Sequence, residues 1–130
     1  MKLEEIREFF SHDRFAMGIG CFIEEAEPGH AVVTLEVEDK HLNGNNVVQG
    51  GVLFTIADLA SAAAACADGT VSVSANGTIN YLAPGDCKKL IATADAVRQG
   101  KTISYYEIRV TDENGKLLAL STFVMCRIKK

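Results

Sequence analysis

The chain has 130 residues, of which 48% are hydrophobic and 23% charged, with a formal charge of −4. That length suits one hydrophobic core, so a single domain over residues 1–130 is expected, and the composition excludes the low-hydrophobicity signature of a disordered chain. The acidic balance, with no run of Lys or Arg longer than two, excludes a broad electrostatic footprint for nucleic acid. The opening MKLEEIREFF lacks the basic and long apolar regions of a secretory signal, and no uninterrupted apolar stretch reaches membrane-spanning length. No membrane partner and a cytoplasmic location are therefore expected. Cys21, Cys66, Cys87 and Cys126 stand far apart without C-x-x-C spacing, which reads as free thiols and implies no metal site.

In chain order, Leu3, Ile6 and Phe9 or Phe10 fall at helical spacing, which predicts a short amphipathic helix within residues 1–14, packed as a flap ahead of the core. Residues 21–37 read as two strands around the turn Glu27, Pro28, Gly29. The segment His41 to Gln49 (HLNGNNVVQ) is rich in Asn and Gly and reads as a loop with specific turns. Residues 50–67 form one helix, apolar on nearly every side, which predicts burial, with alanines that let a sheet approach closely. Strands are expected over 71–82, 89–97, 103–110 and 117–128, joined by turns at Pro84-Gly85, Gln99-Gly100 and Asn114-Gly115. In the first of these, Val71, Val73, Ala75, Ile79 and Tyr81 should face one way and Ser72, Ser74, Asn76, Thr78 and Asn80 the other. The element order implies an α+β domain in which an antiparallel β-sheet wraps a central α-helix.

Asp58 is the one Asp, Glu, Lys or Arg between Lys40 and Asp68, and it lies in the most apolar helix. Burying an unpaired carboxylate costs several kcal/mol or forces protonation, so a compensating use is expected. The other readings are an exposed stripe, or hydrogen bonds from Thr55 or Ser61 one turn away. At the helix start, Gln49-Gly50-Gly51 offers free amides that can hold a carbonyl oxygen or an oxyanion. Asp58 follows Gly50 by a little over two turns, roughly 12 Å along the axis, whereas a base must sit within about 3 Å of its proton. One chain therefore cannot bring both groups to one carbonyl. A two-fold dimer with antiparallel helices can.

Asn43-Gly44-Asn45-Asn46-Val47-Val48-Gln49-Gly50-Gly51, followed by Asp58-Leu59-Ala60, resembles the signature of the PaaI-like (phenylacetic acid degradation) hotdog-fold acyl-CoA thioesterases. The resemblance extends through Ser72-Val73-Ser74, Ile79-Asn80-Tyr81-Leu82-Ala83-Pro84-Gly85 and Arg98-Gln99-Gly100-Lys101-Thr102, over roughly residues 15 to 128. It implies a hotdog fold, a homo-oligomer that is a dimer or a dimer of dimers, and no cofactor beyond the coenzyme A carried by the substrate. It also implies that Asp58 is the nucleophile or general base, that the Gly50 amide serves the oxyanion, that Asn43 orders the loop and the carbonyl or water, and that Ser74 assists the carboxylate. Coenzyme A would lie near Tyr81, Leu82, Pro84 and Gly85 and near Arg98, Gly100, Lys101 and Thr102, a turn whose two cations could meet its phosphates.

Gln49 departs from the histidine usual in this family. An amide can orient a substrate but does not titrate near neutral pH. His41, read as a surface loop residue, and Asn45 or Asn46 are the candidates to replace it. No serine triad, H-E-x-x-H, P-loop or dinucleotide fingerprint occurs. The expected function is hydrolysis of small or medium acyl-CoA thioesters, aromatic ones included, at an intersubunit site using Asp58 and water. The alternative is a non-catalytic acyl-CoA or small-ligand binding protein; a hydratase on the same fold is disfavoured by the absent histidine.

Overall fold

The computed structural model describes residues 1–128; Lys129 and Lys130, which the expected domain includes, lie outside the described residues. Two short helices, α1 (Leu3–Phe10) and α2 (Arg14–Ile19), precede the hairpin β1 (Phe22–Glu27) and β2 (His30–Glu36). After a 3-10 turn at Asp39–His41 come the helix α3 (Gly50–Cys66) and the strands β3 (Val71–Tyr81), β4 (Lys89–Gln99), β5 (Ile103–Asp112) and β6 (Leu117–Ile128). All pairings are antiparallel, in one six-stranded sheet of order β1-β2-β4-β5-β6-β3. The sheet curls around α3, which is the expected hotdog arrangement. No described helix is long and apolar enough to cross a membrane.

The core is the seam between α3 and the sheet. Leu53, Ile56, Leu59, Ala60, Ala63 and Ala64 are buried against Val33 and Leu35 of β2, Leu90 and Ala92 of β4, Ile108 and Val110 of β5, and Phe123 and Met125 of β6. Each fully buried Leu or Ile contributes about 1.5–3 kcal/mol through lost apolar exposure, and the alanines keep the helix close to the strands. The sheet covers only one side of the helix. Gly51 is exposed and Thr55, Asp58 and Ala62 are partly exposed, a stripe at helical spacing. The all-round burial expected from the apolar sequence is therefore absent in a single chain.

The structure corrects two further expectations. Ahead of the core stands a second helix as well as the expected one. Asp13 starts α2 by accepting the Ala16 amide on Oδ1 at 3.0 Å, and Gly20 ends it at φ +100°. Six residues are too few for an amphipathic period to register. The face assignment of β3 also fails halfway, because the register shifts between Ser74 and Asn76. Residues paired directly across an antiparallel ladder share a face. Ser74 pairs with buried Met125, and beyond the bulge Gly77, Ile79 and Tyr81 pair with buried Phe123, Ser121 and Ala119. Ser72 and Ser74 therefore lie on the helix side together with Ile79 and Tyr81, while Val71 and Val73 face outward. A bulge adds one residue and inverts the alternation beyond it.

Gly77 sits where a side chain has no room: a Cβ there would lie 2.5 Å from Phe123 Cε2, and the Phe123 ring is in turn packed against Phe54 with centroids 5.3 Å apart. Gly77→Ala is expected to lower stability by about 1–3 kcal/mol through overpacking, against the gain normally seen for Gly→Ala in a strand. A urea midpoint equal to or above that of the wild type would refute this close contact.

Candidate active site

The open stripe of α3 carries Asp58, and the bulge in β3 brings Ser74 to it: Ser74 Oγ donates to Asp58 Oδ1 at 3.0 Å. The hydroxyls on the helix are committed elsewhere. Ser61 Oγ donates to the Asp58 carbonyl and Thr55 Oγ1 to the Gly51 carbonyl, each at 2.8 Å, so neither holds the carboxylate. Loss of water around the half-buried group pushes the Asp58 carboxyl above the usual carboxylate range; the Ser74 hydrogen bond pulls it back, and the charge of Asp13 pushes it up again.

The helix start is arranged by three neighbours. Gln49 is the N-cap, but its side chain makes no cap hydrogen bond and is exposed, so the Gly50 and Gly51 amides have no partner among the described residues. The Gln49 amide is anchored to the His41 carbonyl at 2.8 Å. Tyr81 donates its hydroxyl to the Gly50 carbonyl at 3.2 Å, and its ring lies 3.1 Å from where a Gly50 Cβ would stand. This role for Tyr81 had no signal in the sequence, since 31 residues separate the pair. Asn43 shapes the preceding loop: its Oδ1 accepts the Asn45 amide at 2.9 Å and the Val47 amide at 3.4 Å, and Asn46 takes φ +59°. The Val48 amide is tied to the Gly85 carbonyl at 3.0 Å, and a Cβ on Gly85 would meet Val48 Cβ at 3.0 Å. A side chain at position 85 would crowd Val48.

The candidate residues fall into three places on one chain. Asn43, Gly50, Tyr81, Leu82, Pro84 and Gly85 line a cleft of about 410 Å³ that opens on the free helix amides. Arg98, Gly100, Lys101 and Thr102 line a separate depression of about 630 Å³ with Ile103 and Tyr105. Arg98 belongs to the end of β4 and not to the turn itself. Asp58 and Ser74 line neither cavity.

His41 is not a surface residue. It is 1% exposed, with Nε2 2.6 Å from the Ile19 carbonyl and Nδ1 2.9 Å from the Glu38 amide, so both ring nitrogens are occupied and it cannot take over the role of the absent histidine. Asp13 was missed as a neighbour of Asp58; its position before Arg14-Phe15-Ala16 is an N-cap signal but says nothing about α3. The four cysteines are free. Burial pushes the Cys21 thiol up to about 12, helped by Asp13, and burial also raises Cys66 and Cys87, which keeps these thiols protonated and poorly nucleophilic. Among the described residues no group of three or more His, Cys, Asp or Glu side chains could hold a metal ion.

A profile of the Thioesterase superfamily matches residues 45–119. The acyl-coenzyme A thioesterase PaaI of Escherichia coli (strain K12) is 37% identical over 112 residues, covering 85% of this chain and 80% of the relative. The structure of the E. coli PaaI protein from the phenylacetic acid degradation operon superposes with a TM-score of 0.91 over 97% of this chain and 92% of that one, at 34% identity. A hypothetical thioesterase from Streptococcus pneumoniae TIGR4, solved with coenzyme A, superposes with a TM-score of 0.86 over 95% and 98% of the two chains, at 29% identity.

The pH dependence of stability follows from the raised Asp58 carboxyl. A folded-state value above the unfolded one means that the native state holds its proton longer, so this group's stabilisation is complete below the ordinary carboxylate range. It is lost as pH rises through the raised value. Asp58→Asn should therefore melt at a higher temperature than the wild type at pH 7, with the gap closing in acid. Equal melting temperatures at both pH values would refute the desolvated carboxylate.

Proposed function

Because the chain belongs to the thioesterase superfamily, we propose that it hydrolyses acyl-coenzyme A thioesters, of small or medium acyl groups including aromatic ones, to the free acid and coenzyme A. The observation that carries the chemistry is the Asp58 carboxylate on the open face of α3, stripped of part of its water and held by Ser74. In this reading Asp58 takes a proton from water as the water oxygen bonds to the thioester carbon. The resulting oxyanion is received by the free Gly50 amide, and collapse breaks the C–S bond, with coenzyme A leaving as the thiolate and taking up a proton. Asn43 and Gln49 orient the carbonyl or the water through their amides. Coenzyme A would run along Tyr81, Leu82, Pro84 and Gly85, with its phosphates at Arg98 and Lys101 beside Gly100 and Thr102.

Asp58 and Gly50 stand roughly 12 Å apart along one helix, so the reaction needs two chains. The topology supports a specific pairing. Among the described residues β3 has one neighbour, β6, which leaves its other edge open to a second β3. Ser74 touches Asp58 and Tyr81 touches Gly50, so β3 runs back along α3. Antiparallel pairing of two β3 edges about a two-fold axis near Gly77 and Thr78 would bring Asp58 opposite Gly50 of the partner subunit. A homodimer is thus the functional unit in this proposal, and a dimer of dimers is compatible with it.

The test is a panel of acyl-CoAs assayed by release of free thiol. Asp58→Asn should lower kcat by about 10²–10⁴-fold. The activity should rise with pH as Asp58 loses its proton, and Ser74→Ala should displace that rise to higher pH by removing the bond that favours the carboxylate. An Asp58→Asn protein as active as the wild type would sink the mechanism. Binding of CoA esters by calorimetry without turnover by the wild type would instead favour the alternative reading as a binding protein, which Gln49 motivates.

A further inference from the structure

The geometry points to His41 as a positioning residue for the proposed hydrolytic site, an inference that rests on that reading of the site. The ring is buried, and a buried polar ring is tolerated only when its nitrogens are bonded. The Glu38 amide can only donate, so Nδ1 accepts; the Ile19 carbonyl can only accept, so Nε2 carries the proton. The neutral ring thus ties the end of α2 to the 3-10 turn. The His41 carbonyl in turn accepts the Gln49 amide at 2.8 Å, immediately before the first free amide of α3. Between these points the chain closes on itself through the Leu42–Val48 bridge and the Asn43 amide on the Val47 carbonyl at 2.8 Å. Ile19, the imidazole, the His41 carbonyl and Gln49 therefore form a continuous set of links from α2 to the group that would receive the oxyanion, with Asn43 inside the loop they close.

A ring that only filled the core would affect how much protein is folded and not how fast each folded molecule reacts. A positioning ring acts on the rate, because displacement by about an ångström at a reacting group can cost up to about 10²-fold. His41 reaches no cleft-lining position itself, so binding of the coenzyme A portion should be spared.

Three variants divide the links. His41→Gln keeps a donor near the Nε2 position, His41→Asn keeps an acceptor near the Nδ1 position, and Gly20→Ala strains a φ of +100° beside Ile19, moving its carbonyl without altering His41. Per folded molecule, His41→Gln and His41→Asn should each lower kcat about tenfold with KM changed by less than about twofold. Gly20→Ala should give a smaller fall that does not add to that of His41→Asn, since both break the link to Ile19. The amide NMR signals of Gly50 and Gly51 should move in all three. Unchanged kcat per folded molecule in the His41 variants, with unmoved Gly50 and Gly51 signals, overturns the inference. Should the His41 variants fail to fold, the absence of any effect of Gly20→Ala on kcat and on those signals overturns it equally. Should the wild type hydrolyse nothing, the proposed function fails, and the Gly50 and Gly51 signals alone decide whether His41 positions the helix start.

Discussion

The contact between α3 and the concave side of the sheet is the constraint on which the other features depend. Alanines at positions 60, 63 and 64 let the helix lie close to β2, β4, β5 and β6, and larger side chains at 53, 56 and 59 lock it against sliding. A helix held this tightly on one side has a fixed rotation about its axis. That rotation turns Gly51, Thr55, Asp58 and Ala62 away from the sheet and makes β3, which returns along the helix, the strand that meets both ends of the stripe. Ser74 and Tyr81 are placed at Asp58 and Gly50 by one strand. A disturbance of β3 would therefore reach the carboxylate and the free amides together.

Electrostatics at the stripe are governed by few groups. Desolvation and the charge of Asp13 favour the acid form of Asp58, and a single hydroxyl favours the carboxylate. With an amide and not an imidazole at position 49, no side chain at the helix start gains or loses charge near neutrality. In the proposed hydrolysis the chemistry on this face thus turns on one proton. The thiols, raised by burial, stay out of it.

Much of the architecture was legible because it depends on patterns within short windows. The long apolar helix announces itself by length and composition, the strands by alternation, and two of the turns by Pro28-Gly29 and Asn114-Gly115, whose glycines adopt positive φ. Legibility failed where a single residue changes the rule. The bulge at Ala75 reverses the facing of β3, and the weak strand formers beside it, Ala75-Asn76-Gly77, do not by themselves say which residue goes unpaired. The six residues of α2 are too short for periodicity, and only Asp13 and Gly20 mark its ends. His41 has the composition of a loop residue and the environment of a core residue, because its two hydrogen-bond partners come from a distant helix and from the turn that it ends.

By itself the sequence determined the fold class, the central helix and its order among the strands, the anomaly of Asp58, the free helix start at Gly50, and, through helical rise, that these two cannot serve one carbonyl within one chain. Those properties follow from local conformational preference and from the cost of burying charge, both carried by near neighbours in the chain. Only the tertiary structure decided that Ser74, and not Thr55 or Ser61, holds Asp58, that Tyr81 supports Gly50, and that His41 is occupied on both nitrogens. These depend on which side chains meet across the sheet and helix. A one-residue bulge or a buried hydrogen bond changes that without leaving a mark on composition or period.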